Sequence, residues 1–343
     1  MRRTGLLLLP SRRRMLALFA ALMTFIVAAL LAFAAMLAQS PAASAQAPAA
    51  DKEVPATAKE LPATGKERPA TAKEVSTSDL TTSELQAEES RLGDASFSVM
   101  CGFSHRNNDD PIVYPGKQGA AHSHDFLGNR STKYNSTYTT LRSATTSTDP
   151  DGTSCNRSED KSAYWVPTVK WNNQNLQPSI GIIYYRAGNK DHTKVQPFPA
   201  GLKVVTAPNK NVTWKCEGGS YSSTPPTKCS NGQLSVRVIF PDCSNGKVDS
   251  ADHRSHLTHS RLQSNGIRTC PSTHPTPIPT LSIALSYKIP TTAGQVSLSS
   301  GTASTMHSDF FDAWDPQALK DLVVGCINKV GPSDPRPDYC SGL

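Results

Sequence analysis

A chain of 343 residues with 35 basic and 28 acidic side chains carries a formal charge of +7, but five of the basic residues (Arg2, Arg3, Arg12, Arg13 and Arg14) precede residue 46 and no acid does. Beyond that segment 30 basic residues face 28 acidic ones, about +2, so the body of the chain has no electrostatic footprint for nucleic acid and that class is excluded. The length allows one large domain or two small ones.

Residues 1–14 are basic, Met15 to Leu37 is an uncharged apolar run, and Ala43-Ser44-Ala45 follows as a small-residue site of the A-x-A kind. This order predicts a secretory signal over residues 1–45, cleaved near Ala45. An uncleaved anchor is the alternative, because 23 apolar residues suffice to span a bilayer. Either way the remainder lies outside the membrane, and no other membrane contact is expected. From Lys52 a seven-residue repeat reads KEVPATA, KELPATG, KERPATA, KEV. Pro55, Pro62 and Pro69 recur in register and no apolar seam accompanies them, which rules out a coiled coil and predicts an extended tether over 46–95. Leu61-Pro62-Ala63-Thr64-Gly65 looks like a sortase sorting signal, but no apolar stretch and basic tail follow it, so drift of the repeat accounts for it better. Ser78 to Leu92 is acidic and predicts a short helix capped by Ser78 or Asp79.

Residues 96–343 read as one module. Tyr164–Trp171, Ile180–Ala187, Leu202–Ala207, Val212–Cys216, Leu234–Phe240 and Thr280–Ile289 are short runs rich in β-branched and aromatic residues, separated by Gly, Pro, Asn and Ser. The pattern predicts an all-β or mainly β fold, an antiparallel sandwich or open barrel with long loops. One helix is signalled near the end: Asp315 as cap, Pro316 in the first turn and a stripe of Ala318, Leu319, Leu322 and Val323, ending near Asn328. The eight cysteines all follow residue 100, none in a C-x-x-C pair. Four disulfides in an oxidising, extracellular setting are expected, paired between neighbours: Cys101–Cys155, Cys216–Cys229, Cys243–Cys270 and Cys326–Cys340.

The chemistry-bearing residues gather in three blocks. Asp109 to Asn129 holds His122 and His124, which share a face if the backbone is extended. Asp252-His253-Arg254-Ser255-His256 is the second, and His307-Ser308-Asp309 repeats the same-face spacing. His122, His124, His307 and Asp309 together offer three nitrogens and a carboxylate, a set suited to a divalent zinc, copper, manganese or iron ion. Without a metal, His122 and His307 could act as acid and base. Each histidine alone is as well explained by a loop it braces or an ion pair it makes. Asp109-Asp110-Pro111 initiates a turn, or one of its carboxylates orients a histidine. Arg254 holds a substrate carboxylate or sulfate, or pairs with Asp252 or Asp249. Phe126, Trp165, Trp171, Tyr184, Tyr185 and Trp214 form either a sugar-stacking platform or core pairs.

The run from His105 through Asp109-Asp110-Pro111, Pro115-Gly116 and His122-Ser123-His124-Asp125-Phe126 to Gly128-Asn129 resembles the signature of a family of secreted bacterial and fungal proteins, catalogued as domain of unknown function nineteen-ninety-six. The blocks at Asp252–His256 and His307–Asp315 look like the family's two later motifs, in order, over roughly residues 97–328. Family members usually read His-Ala-Asp and Asn-Gly-Trp in the last block, where this chain has Ser308, Asp312 and Ala313. The resemblance implies that the three blocks belong to one domain and implies no reaction. The resulting expectation is a secreted, envelope-associated or free module that acts on polysaccharide as a hydrolase or lyase. His122, His124, His307 and Asp309 would hold a metal or share acid–base work, with His253 and His256 nearby and Arg254 meeting substrate charge. The alternative is a non-catalytic protein of the cell wall that binds glycan or metal.

Overall fold

A computed structural model of the chain describes residues 95–145, 152–331 and 337–342. The signal, tether and Ser78–Leu92 expectations lie outside the described residues. Among those described, no helix is long and apolar enough to cross a membrane. The fold is mainly β, built on two open five-stranded antiparallel sheets. The first runs in the order Ser96–Cys101, Pro178–Arg186, Thr280–Lys288, Gln233–Ile239, Val212–Cys216. Ile183 and Tyr185, like Ile283 and Leu285, are buried while the residues between them are less so, the period of a sheet wet on one face.

The second sheet runs Phe103–Asn107, His124–Gly128, Ala163–Pro167, Asp309–Phe311, Lys203–Val205. Its three middle strands are buried at every position. One face gives Leu127, Tyr164, Val204 and Phe310 to the core shared with the first sheet. The other gives Phe126, Ala163, Trp165, Val205 and Phe311 to a separate apolar cluster, closed by Ile112, Leu141 and Ala313. The short helix Tyr138–Arg142, which brings Leu141, and the loop after Asp109 thus form a third layer. Where the two sheets meet, Gly181 leaves room for Leu127, since a Cβ there would lie 2.5 Å from Leu127 Cδ2. A buried polar chain also joins them: Trp314 Nε1 donates to the Tyr185 hydroxyl (2.9 Å), which contacts the Tyr164 hydroxyl (2.5 Å), and that donates to Asp160 (2.7 Å).

The predicted run Tyr164–Trp171 is two strands. Pro167 lacks a donor to continue the ladder, and after Thr168 the chain passes to a four-stranded sheet as Val169–Trp171, beside Val296–Leu298. The C-terminal helix is Pro316–Val323, capped by Asp315 accepting from the N–H groups of Gln317 and Ala318, with Leu319, Leu322 and Val323 buried. A π-helical turn extends it over Val324–Asn328, the expected end. The four disulfides join the cysteines in the expected neighbour pairs.

One buried carboxyl makes the fold sensitive to pH. Asp312 is 1% exposed; its Oδ2 accepts the Gly201 N–H (3.0 Å) and its Oδ1 has no partner among the described residues. Burial, opposed by that N–H, pushes it up to about 8. The folded chain therefore keeps a proton that the unfolded chain releases near the ordinary 3.8. Stability falls as pH rises through that window, by up to about 1.4 kcal/mol per pH unit. Asp312→Asn keeps an acceptor for Gly201 and removes the ionisation. Urea midpoints at pH 6 and pH 8 are expected to differ less in that variant than in the parent; equal differences would refute the assignment.

Candidate metal centre

Strand register assembles the site. Phe126, Trp165, Asp309 and Val205 lie in one row across the second sheet, and His124 faces Pro167 two residues along. Side chains two apart share a face, so His124 joins Phe126 and Asp309 joins Phe311 on the side away from the main core. The segment before His124 stays paired: Thr168 donates its N–H to the Ser123 carbonyl (3.0 Å) and its hydroxyl meets that of Ser123 (2.9 Å). The segment before Asp309 is fixed by Ser308, whose N–H donates to the Thr206 hydroxyl (2.8 Å) and whose own hydroxyl donates to the Trp165 carbonyl (3.1 Å).

Three imidazoles converge as a result. Ring centroids are 4.2 Å apart for His122 and His124, 5.2 Å for His122 and His307, and 6.1 Å for His124 and His307. Each of the three presents a ring nitrogen within 4.8 Å of the other two. Asp110, His124 and Asp309 form a second group by the same measure. His124 Nδ1 donates to the Asp109 carbonyl (3.1 Å) and His307 Nδ1 to the Thr305 carbonyl (2.8 Å). A carbonyl only accepts, so both rings carry the proton on Nδ1 and keep the Nε2 lone pair free. His307 Nε2 lies 3.8 Å from Asp309 Oδ2. The Nε2 atoms of His122 and His124 and both carboxylate oxygens of Asp309 are buried without a hydrogen-bond partner among the described residues. Buried polar atoms are rarely left so, and four around one point need an explanation.

The electrostatics of the three imidazoles suit electron-pair donation. Burial, with the charge of His307, lowers His122 to about 4. Burial holds His124 well below its ordinary value and lowers His307, where Arg254 adds to the effect and the Thr305 carbonyl opposes it. These rings are neutral, the form that ligates. Asp309 is pushed well above the usual carboxylate range, first by burial and then by the charge of Asp110. Asp110, also raised by burial, anchors the turn by accepting the N–H groups of Ile112 (2.9 Å) and Val113 (2.8 Å).

The middle block divides. His253, at φ 56°, bonds Asp249 through Nδ1 (2.8 Å) and lies near enough to Asp110 to act on its charge. Arg254 donates Nε to the Val205 carbonyl (3.2 Å), and its charge acts on His307 and Asp309. The alternative pairing of Arg254 with Asp252 or Asp249 is not formed. Asp252 instead accepts the N–H groups of Arg254 (3.1 Å) and Ser255 (2.9 Å), while Asp249 takes Lys203 (3.6 Å) and His253. His256 stands apart: its ring nitrogens meet the Ser250 hydroxyl (2.9 Å) and the Lys203 carbonyl (2.8 Å), so it braces a loop. His105 stacks on Phe126 and is bonded to Thr132.

Two corrections follow. Asp109 orients His124 through its backbone carbonyl and not its carboxylate, which accepts the Gly119 N–H (2.9 Å). The sugar-stacking platform fails for Phe126, Trp165, Trp171, Tyr185 and Trp214, each at most 2% exposed; Tyr184 lies under the Arg186 guanidinium. The site residue that sequence reasoning passed over as a member of the cluster is Asp110. Its place beside a proline disguised it as a turn former, and it is both.

Comparison with known proteins adds one match. A family model described as Domain of unknown function (DUF1996) fits residues 110–314, a span that takes in the first block from Asp110 onward and all of the other two. No curated protein and no solved structure matches the chain.

Proposed function

The chain belongs to the DUF1996 family, whose description names no reaction, and from the chemistry of its site we propose a divalent metal centre held by His122, His124, His307 and Asp309. The observation that carries this reading is the set of four orphaned, buried ligand atoms on His122, His124 and Asp309, beside the free Nε2 of His307. Three imidazoles and a carboxylate suit zinc, manganese, copper or iron. The backbone carbonyls of Asp109 and Thr305 hold two of the rings in the ligating tautomer.

On this reading the module is an extracellular hydrolase or lyase of polysaccharide. Its four disulfides fit an oxidising, extracellular setting. A bound ion of this kind activates water or polarises a carboxylate oxygen. Asp110 stands beside Asp309 to receive or return a proton, and Arg254 faces the centre from an exposed position. A second reading, a metal- or glycan-binding wall protein without catalysis, is favoured by one observation: His124 and Asp309 are fully buried, leaving only the edges of His122 and His307 toward solvent. Purified protein dialysed against zinc or manganese is expected to retain one ion per chain by elemental analysis. Retention of neither, nor of copper or iron, would remove the centre. Release of reducing ends or unsaturated uronates from wall glycans then separates the two readings, since a binder yields neither.

A further inference from the structure

A groove adjoins the centre along the second sheet. It is about 490 Å³ in volume, and Tyr134, Tyr138, Pro111, Pro115, Lys203 and Phe311 are among its walls. It lies on the site's own face of the second sheet. Phe311, on its floor, is two residues along the strand from Asp309, and Pro111 directly follows Asp110. Two residues of strand advance the chain by about 7 Å, so groove and centre are adjoining stations on one track.

The cations repeat with the same step. Asp309 pairs across the ladder with Val205, whose carbonyl anchors Arg254; Phe311 pairs with Lys203. Among the described residues the outer nitrogens of Arg254 make no ion pair. Lys203 has its ammonium 5.1 Å from the Phe311 ring and 3.6 Å from Asp249 and is 29% exposed. Tyrosine faces and proline edges suit the flat apolar side of a sugar ring. A guanidinium fork suits a carboxylate. We infer that the groove is a subsite for an acidic polysaccharide, with one ring on Tyr138 and Tyr134 beside Lys203 and the next carrying its carboxylate to Arg254 at the centre. This names the substrate class of the function proposed above and rests on that reading.

The test is calorimetric binding of a linear galacturonate tetramer, with cellotetraose as the neutral counterpart, to the full chain loaded with zinc. The acidic tetramer is expected to bind at least about tenfold more tightly than the neutral one, since one charged hydrogen bond accounts for such a factor. Arg254→Met and Tyr138→Ala are each expected to lose about tenfold, with zinc content unchanged. Arg254 is exposed, so its variant stays informative if Tyr138→Ala does not fold. Equal binding of the two tetramers, no binding to zinc-loaded protein, or indifference to Arg254→Met would overturn the inference. Failure of the metal reading shows separately, as absent zinc. Galacturonate binding that persists there and still needs Arg254 would support the subsite alone.

Discussion

Replacing His122 or His307 with alanine is expected to lower zinc affinity by at least about 100-fold while leaving the fold in place. Losing a residue that merely orients a ligand costs about 10–100-fold, so losing the ligand itself costs no less. Both side chains are partly exposed; His122 makes no hydrogen bond through its buried Nε2, so little folding energy goes with it, and His307→Ala gives up one bond to the Thr305 carbonyl, about 1 kcal/mol. His256→Ala is the matched control. Its ring holds Ser250 and the Lys203 carbonyl, and leaving these unpaired costs about 1–3 kcal/mol of stability with zinc affinity intact. Competition against a chromogenic chelator measures the first quantity and urea denaturation the second. If all three variants lose affinity alike, the ion is not where the orphaned atoms place it.

The second large effect concerns stability. Cys101–Cys155 closes a separation of 54 residues, whereas Cys216–Cys229 closes 13. The entropy removed from the unfolded chain grows with loop length, which gives about 4 kcal/mol for the longer loop and about 3 kcal/mol for the shorter. Cys101 is also fully buried in the main core, where the chain turns from the first sheet into the second. The Cys101→Ala/Cys155→Ala chain is therefore expected to be the less stable of the two paired variants in denaturant titrations. The reverse order would show that strain or residual unfolded structure, and not loop closure, sets these bridges' worth.

Much of this architecture could be read before any coordinates, for physical reasons. Val212–Cys216 has the bounds of its β-branched run and Thr280–Lys288 stops one residue short of its own, and the C-terminal helix obeyed its cap and proline. The neighbour disulfides followed the simplest pairing. The site's own strands were harder. His124–Gly128 and Asp309–Phe311 are short and buried on both faces, so they show no alternation and carry charged residues where apolar ones are expected. Only the i, i+2 spacing of His122 with His124, and of His307 with Asp309, hinted that extended backbone would aim these pairs. Which aromatics were buried was not legible, because a tyrosine on a core face and one in a groove have the same neighbours in sequence. Tyr185 and Tyr138 show the two outcomes.

Sheet order also fixes a timetable. The strand that carries Asp309 lies between Ala163–Pro167 and Lys203–Val205, yet it is translated long after both. A polypeptide emerges from its N-terminus at about 5–20 residues per second, so these two strands are synthesised several seconds before the one that pairs with both. A message cut short before His307 would yield a product with a gap through the middle of a sheet and unpaired strand edges on either side. Such fragments should be sticky and short-lived, and the imidazoles of the opening block would never meet their late-arriving counterpart.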